Sequence, residues 1–223
     1  MIRLSLSIVV AFIVAGFVLA ACGGGGAQSF AEACQKSDQK QFSNPPDLII
    51  DTSKTYFATI KTAKGDIVLE LFSDVPITTS NFAYLACKGF YDGLSFHRVV
   101  PGFVAQGGDP AGNCKGGPGY TIPDEPDNGH TFEAGVISMA KPSDATGRAV
   151  PNSAGSQFFL TYTSQPDLEQ DFTVFGRLQA IQGMAVLQRL APRECGDRSP
   201  AGDVIETITI EERDGAGVAP ATP

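Results

Sequence analysis

The sequence predicts a mainly β fold in which a barrel-like antiparallel sheet is capped by two helices. Short β-prone apolar stretches recur along the chain, whereas two segments carry helical periodicity. The composition agrees, since the 223 residues include 25 Gly and 15 Pro, which end strands and form turns. A chain of this length accommodates one domain with appendages.

Eight segments have the pattern of strands. Tyr56–Thr62 and Ile67–Phe72 are separated by a turn signal at 63–66, so they predict a hairpin. Thr207–Ile210 alternates polar and apolar residues, as a half-buried closing strand does. The strands that follow the hairpin are predicted at 95–99, 103–106, 135–140, 157–161, 174–178 and 205–210.

Two segments predict helices, and one predicts a long loop. Residues 78–86 place apolar side chains three and four positions apart, between Pro76 and Gly89, which mark helix boundaries. Residues 184–190 predict the second helix. Residues 107–133 are rich in Gly and Pro and predict a loop region.

The N-terminus predicts an export signal over residues 1–21. Its apolar core of about fourteen residues runs from Ile8 to Ala21, which is short for a membrane span of roughly 20. Leu19-Ala20-Ala21-Cys22 resembles the bacterial lipobox, which implies acylation of Cys22. We therefore expect an extracytoplasmic protein that is lipid-anchored to the cell membrane, with an ordinary signal or an uncleaved anchor as the alternatives.

The remainder of the chain divides into three parts. Residues 22–54 predict a polar tether with a short helical patch near residue 30, and residues 55–212 form the folded domain. Residues 213–223 are mostly small residues and Pro, which predicts a disordered tail.

Four cysteines remain after Cys22. An exported chain can hold disulfides, and four cysteines allow three pairings, with free buried thiols as the alternative. The chain has no Cys-x-x-Cys, and its two histidines have no ligand-like spacing to a cysteine, so no redox motif, metal or cofactor is expected. The four cysteines are Cys34, Cys87, Cys114 and Cys195.

The acidic charge balance bears on whether the chain binds nucleic acid. The formal net charge of −8 and the lack of a Lys/Arg run argue against nucleic acid, because phosphate binding needs concentrated positive charge. A monomer is expected.

Residues 96–109 combine hydrogen-bonding side chains with apolar ones. Their sequence is Phe-His-Arg-Val-Val-Pro-Gly-Phe-Val-Ala-Gln-Gly-Gly-Asp. They place Arg98, Phe103 and Gln106 on two short apolar segments joined by a turn. Such a set suits a reaction that needs hydrogen-bond donors in an apolar pocket, without a nucleophile or a metal. This run resembles a signature of the cyclophilin family of peptidyl-prolyl cis-trans isomerases, and residues 154–160, Ala-Gly-Ser-Gln-Phe-Phe-Leu, resemble the family's other signature.

The resemblance covers roughly residues 56–212 and implies a closed eight-stranded barrel that isomerises X-Pro bonds in proline-containing polypeptides. It implies catalytic roles for Arg98, Gln106 and Phe103. The alternative is a non-catalytic module that binds proline peptides as a chaperone or scaffold. Substrate-binding roles are implied for Val104, Ala140, Gln157, Phe159, Leu168 and Phe172.

The chain departs from the family at a few positions. Lys141 stands where the family usually has Asn, and a longer loop follows at 142–150. Asp167 stands near a usual Trp, and Phe172 stands at a usual His. Phe158 and Phe159 face opposite sides of a strand, and because the resemblance assigns Phe159 to the pocket, Phe158 is expected in the core. His97 is expected to be structural, since isomerisation breaks no bond. Cys114 lies in the glycine-rich loop, which the resemblance places beside a second, specificity-side pocket.

Overall fold

The computed structural model describes residues 30–197 and 202–215. The predicted signal peptide at 1–21, the predicted lipidation site Cys22 and the first part of the tether lie outside the described residues, as does the end of the predicted tail. No helix within the described ranges has the length and apolar character needed to cross a bilayer.

Eight strands in the described part of the chain form one antiparallel sheet. Their order across the sheet is β3-β4-β6-β5-β7-β2-β1-β8. Each predicted strand is present, although the third is shorter than predicted and the last begins two residues later and extends to Arg213, the first residue of the predicted tail. The strands are β1 Thr55–Thr62, β2 Gly65–Leu71, β3 Arg98–Val100, β4 Val104–Gly107, β5 Val136–Met139, β6 Phe158–Thr161, β7 Val174–Leu178 and β8 Thr207–Arg213.

The sheet curls into a half-barrel that stays open, so the expectation of a closed barrel is wrong. The end strands β3 and β8 do not pair with each other. The segment that precedes β8 meets the edge of β3 instead, because Val99 and Arg193 exchange backbone hydrogen bonds of 2.8 and 3.0 Å. Ser95 and Val204 form a second isolated bridge. β3 has three residues, so its edge is too short for a further ladder.

Three α-helices, α1 Phe30–Ala33, α2 Pro76–Cys87 and α3 Ile181–Leu187, and a short 3-10 helix, Pro166–Leu168, accompany the sheet in the described residues. Pro76 occupies the first turn of α2, where its missing N–H removes no helical hydrogen bond. The prediction for α3, residues 184–190, is three residues too late. The cause is that Ile181 is 83% exposed and Gly183 interrupts the apolar pattern, so the first turn carries no amphipathic signal.

The core is built around aromatic rings. Phe82 of α2 packs against Phe158 of β6 and Phe175 of β7, with ring centroids 5.5 and 5.2 Å apart. Tyr91 lies 5.5 Å from the Phe158 ring, and all four side chains are buried. The alternation of β6 therefore places Phe158 in the core, as predicted.

Residues 34–50 pack along α2 and reach the Gly- and Pro-rich loop region of residues 107–133, here called the glycine-rich loop. The Lys40 ammonium donates to the backbone carbonyls of Gly89 and Asp92 at 2.9 and 3.0 Å. The Phe42 N–H donates to the Pro118 carbonyl at 2.7 Å. This segment of the predicted tether is thus in contact with the domain.

The cysteines form two disulfides, Cys34–Cys87 and Cys114–Cys195. This is one of the three pairings that the sequence left open, and it leaves none of these four as a free thiol. The first bridge joins the segment after α1 to the end of α2. The second joins two loops on either side of the β3 edge.

We predict that Phe158→Ala destabilises the fold by about 3–5 kcal/mol, because it removes a fully buried ring and leaves a cavity. Urea unfolding followed by circular dichroism measures this loss. The exposed Ile181→Ala provides the control, and its change should stay within about 0.5 kcal/mol. Equal effects of the two variants would contradict this assignment of the core.

Candidate active site

The register of three neighbouring strands places the key side chains in a row. Arg98 of β3 lies opposite Gln106 of β4, and Gln106 lies opposite Phe159 of β6. Directly opposed residues share a face of the sheet, so these three side chains are neighbours. The intervening Val99 and Ala105 point into the core.

A pocket of about 450 Å³ lies beside this row. Its floor includes Phe159, which is 5% exposed, and Phe172 packs edge-on against it at 5.7 Å. The lining mixes apolar and polar side chains, and the polar ones are Arg98, Gln106, Lys141, Ser143, Asp167 and Asp171. The apolar lining consists of Phe103, Val104, Ala140, Ala149, Phe159, Leu168 and Phe172.

Arg98 lies at the rim of this pocket. Its guanidinium carbon is 5.7 Å from the centre of the Phe103 ring, and 27% of its side chain is exposed. The carboxylate of Glu194 lies 3.6 Å from Arg98 Nε. The group is therefore oriented by an aromatic face and a carboxylate, and it remains accessible to a ligand in the pocket.

A chain of amide hydrogen bonds extends from the pocket. Gln106 Nε2 donates to Gln157 Oε1 at 2.8 Å, and Gln157 Nε2 donates to the Gly116 carbonyl at 2.8 Å. Each bond fixes the orientation of an amide group, because a reversed amide would place two like groups against each other. The chain thus links β4 to the glycine-rich loop.

A second pocket of about 330 Å³ adjoins the first across a ridge of Gln106, Ala140 and Lys141. Its outer wall is the glycine-rich loop. The Asp109 carboxylate holds this loop by accepting from the N–H groups of Asn113 and Lys115 at 2.9 and 3.1 Å. The smaller pocket is thus built on backbone that one buried carboxylate organises.

Gly108 is required at the root of this loop. Its φ is +85°, and a Cβ there would collide with the Ser156 carbonyl. Ser156 Oγ donates to the Gly108 carbonyl at 2.7 Å, so the two segments lie in direct contact. Only glycine allows this close approach.

Lys141 has a structural position that the sequence did not reveal. Its side chain is 4% exposed and forms a 2.8 Å ion pair with Asp124. The ammonium also lies 5.5 Å from the centre of the Phe172 ring. This lysine therefore lies in the ridge between the two pockets, with its charge held by Asp124 and Phe172.

The loop at 142–150 is a small hairpin that adds a wall to the larger pocket. Ser143 and Ala149 pair in a bridge, and Asp144 Oδ1 accepts from the Thr146 and Arg148 N–H groups at 2.8 and 3.1 Å. Ser143 and Ala149 both line the pocket. The insertion is thus a structured part of the site.

The structure brings the nine predicted site residues together, although their roles remain predictions. Gln157 lines the smaller pocket, and the other eight line the larger one. Sequence reasoning missed Tyr120, which lines the smaller pocket and donates to Asn81 at 2.7 Å, and it missed Glu194 beside Arg98. No local pattern distinguishes these two residues from ordinary loop residues.

Comparison with known proteins identifies the family. Residues 57–212 match the model described as cyclophilin type peptidyl-prolyl cis-trans isomerase/CLD. The chain belongs to the cyclophilin family. All nine site residues lie within the matched range.

Individual relatives of the chain carry the name of the same activity. A peptidyl-prolyl cis-trans isomerase of Helicobacter pylori is 46% identical over 162 residues, which cover 72% of this chain and 90% of the relative. Peptidyl-prolyl cis-trans isomerase B of Bacillus subtilis is 44% identical over 147 residues, or 65% of this chain and 90% of the relative. This cyclophilin is a peptidyl-prolyl cis-trans isomerase.

A solved structure agrees in fold. The crystal structure of a cyclophilin type isomerase from Cryptosporidium parvum matches with a TM-score of 0.62 and 33% identity, covering 70% of this chain and 98% of that one. The segment before β1 and the end of the chain account for most of what lies outside the match with the family model.

His97 lies behind Arg98 and is fully buried in this cyclophilin. Gln157 and the Ser95 backbone are its polar neighbours, but neither ring nitrogen meets hydrogen-bond geometry with the described residues. Burial lowers the pKa of His97 from the ordinary value of 6.5, and the nearby Asp109 carboxylate opposes this effect. The folded chain therefore holds a neutral imidazole against its active face.

We predict that this histidine makes the fold less stable in mild acid. The unfolded chain binds a proton near pH 6.5, whereas folded His97 resists protonation. Its contribution is therefore fully present above pH 6.5 and is lost as the pH falls below that value. Urea unfolding at pH 7.5 and 5.5, compared with His97→Gln, measures the loss. A loss of equal size in the variant would contradict the assignment, because groups other than His97 would then account for it.

Proposed function

We propose that the larger pocket binds the proline ring of a polypeptide and that Arg98 catalyses rotation about the preceding peptide bond. The observation that carries this proposal is the guanidinium of Arg98 at the rim of a pocket of about 450 Å³ that is lined by the rings of Phe103, Phe159 and Phe172. The substrates are proline-containing segments of other proteins, and no cofactor takes part.

The reaction is limited by amide resonance. Rotation of an X-Pro bond has a barrier of about 18–20 kcal/mol. In the twisted transition state the prolyl nitrogen recovers its lone pair and becomes a better hydrogen-bond acceptor. A donor fixed near that nitrogen therefore binds the transition state more tightly than the ground state, which lowers the barrier.

Arg98 has the properties of this donor. Its guanidinium stays charged and presents several N–H groups in one plane. The Phe103 ring and the Glu194 carboxylate hold it at the pocket rim, at 5.7 and 3.6 Å. Little reorientation is needed when the substrate twists.

The rest of the site holds the substrate on both sides of the rotating bond. Phe159 and Phe172 enclose the proline ring. Gln106 uses one amide hydrogen for Gln157 and offers the other to a peptide carbonyl. With the proline ring held in the pocket, rotation about the X-Pro bond moves the carbonyl group of the residue that precedes proline.

We predict that Arg98→Ala lowers kcat/KM by about 100-fold or more, because one preorganised donor contributes that much to transition-state stabilisation. Exchange spectroscopy on an Ala-Ala-Pro-Phe peptide measures the cis-trans rate with the full-length chain in mild detergent. Arg98→Lys should restore part of the rate, since it keeps the charge and loses the planar fork.

The control for this experiment is Arg177→Ala. Arg177 is an exposed arginine that pairs with Glu70 at 3.1 Å on the outer face of the sheet. It should keep the wild-type rate. An Arg98→Ala chain that is folded and as active as the wild type would overturn the assigned role.

We also propose that the protein acts outside the cytoplasm as a lipid-anchored monomer. Two features support this: the signal-like N-terminus with its Leu-Ala-Ala-Cys sequence, and the pair of disulfides, which persist in oxidising compartments. Slow prolyl isomerisation limits the folding of exported proteins as it does in the cytoplasm. An anchored isomerase would act where exported chains emerge.

We predict that Cys22→Ser abolishes incorporation of labelled palmitate and moves the protein out of the membrane fraction, because two acyl chains are needed for stable anchoring. Expression in a bacterium that processes lipoproteins, followed by fractionation, measures both effects. A wild-type chain that is unlabelled and found in the soluble fraction would contradict the anchor.

A further inference from the structure

The loop that carries Cys195 also carries contacts to the proposed catalytic arginine. Arg193 pairs through its backbone with Val99, the residue next to Arg98. The following residue, Glu194, places its carboxylate 3.6 Å from Arg98 Nε. Cys195 comes next in the chain, so the disulfide lies one residue from the group that orients Arg98.

The loop that carries Cys114 contacts the other side of the site. Asn113 and Lys115, its two neighbours, donate to Asp109. Two residues further on, the Gly116 carbonyl accepts from Gln157, which in turn accepts from Gln106. The disulfide is therefore also close to the amide chain that orients Gln106.

These contacts close a ring around the site. It leads from Arg98 through Glu194 to the disulfide, then through Gly116 and Gln157 to Gln106, and it returns to Arg98 through the β3–β4 pairing. We propose that the Cys114–Cys195 disulfide is a positioning element for catalysis, which holds Arg98 and Gln106 in their working arrangement. This inference rests on the proposed function of those two residues.

The ion pair between Glu194 and Arg98 is a weak contact in the ring. Glu194 is 69% exposed and its distance from Arg98 is long, so the ion pair alone contributes little orientation. A covalent link keeps the Glu194 loop in place where a solvated ion pair would exchange with water. Catalytic groups that shift by about 1 Å can lose as much as 100-fold in rate, so a small gain in placement matters.

The backbone at Cys114 indicates that its loop conformation is imposed. Its φ is +67°, in the left-handed region that residues other than Gly rarely adopt. Such a conformation persists where the surrounding structure enforces it. Asp109 still holds Asn113 and Lys115 when the disulfide is absent, so we expect a local relaxation at Cys114 that moves the Gly116 carbonyl away from Gln157.

The test is the double variant Cys114→Ser/Cys195→Ser, measured in the full-length chain at a temperature where circular dichroism shows it folded. We expect kcat and kcat/KM to fall by about tenfold. KM should change less than twofold, because the pocket floor of Phe159 and Phe172 is not part of the ring.

The matched control is Cys34→Ser/Cys87→Ser, which removes the other disulfide. That bridge lies at the end of α2, and residues 40–42 keep their own hydrogen bonds to the domain. We expect lower stability and unchanged kcat. Equal losses of kcat in the two double variants would show that both bridges act through stability alone and would overturn the proposal.

A cycle with Glu194→Gln tests the connection to Arg98. With the disulfide intact, Glu194→Gln should lower kcat/KM by about two- to fivefold, the effect of an exposed ion pair. In the Cys114→Ser/Cys195→Ser background it should have no further effect, because the carboxylate is already displaced. If Glu194→Gln lowered kcat/KM by the same factor with and without the disulfide, the disulfide and Glu194 would not act on Arg98 together, and the proposal would be contradicted.

Arg98→Ala separates the failure of this inference from failure of the proposed function. If Arg98→Ala loses activity while Cys114→Ser/Cys195→Ser keeps it, the positioning inference is wrong and the catalytic assignment stands. If Arg98→Ala keeps full activity, the catalytic assignment itself is wrong, and the positioning inference fails with it.

Discussion

The antiparallel register of β3, β4 and β6 is the constraint on which the site depends. Because side chains alternate across a strand, a slip of one residue would turn Arg98, Gln106 or Phe159 into the core. The buried neighbours Val99 and Ala105 prevent that slip, since it would expose them to water. Core packing and site geometry are therefore specified by the same pairing.

The sheet supplies one wall of the site, and loops supply the others. Loops of this length would ordinarily be mobile. Here the Asp109 carboxylate, the ion pair of Lys141 with Asp124 and the hairpin at 142–150 give them fixed internal contacts. The enzyme thus combines a regular scaffold with irregular walls that are individually tied to it.

Much of the fold could be predicted from the sequence because local patterns encode strands and helices, whereas the site residues were predicted from the family resemblance. The strand carrying Phe158 and Phe159 shows this, since alternation places the two rings on opposite faces and the family resemblance indicates which of them faces the pocket. Contacts between distant segments could not be predicted. The opening between β3 and β8 depends on how residues 191–197 fold back, and the partners of Lys141 and Arg98 come from loops with no periodic signal.

The order of the disulfides along the chain has a consequence for biosynthesis. The two bridges enclose separate stretches, 34–87 and 114–195, and neither stretch overlaps the other. In a chain that emerges N-terminus first, Cys34 and Cys87 are both present before Cys114 appears. Of these four cysteines, the first two to emerge form one bridge and the last two form the other. An oxidase that pairs thiols as they are delivered would produce the native connectivity directly, with no wrong bridge to be reshuffled afterwards.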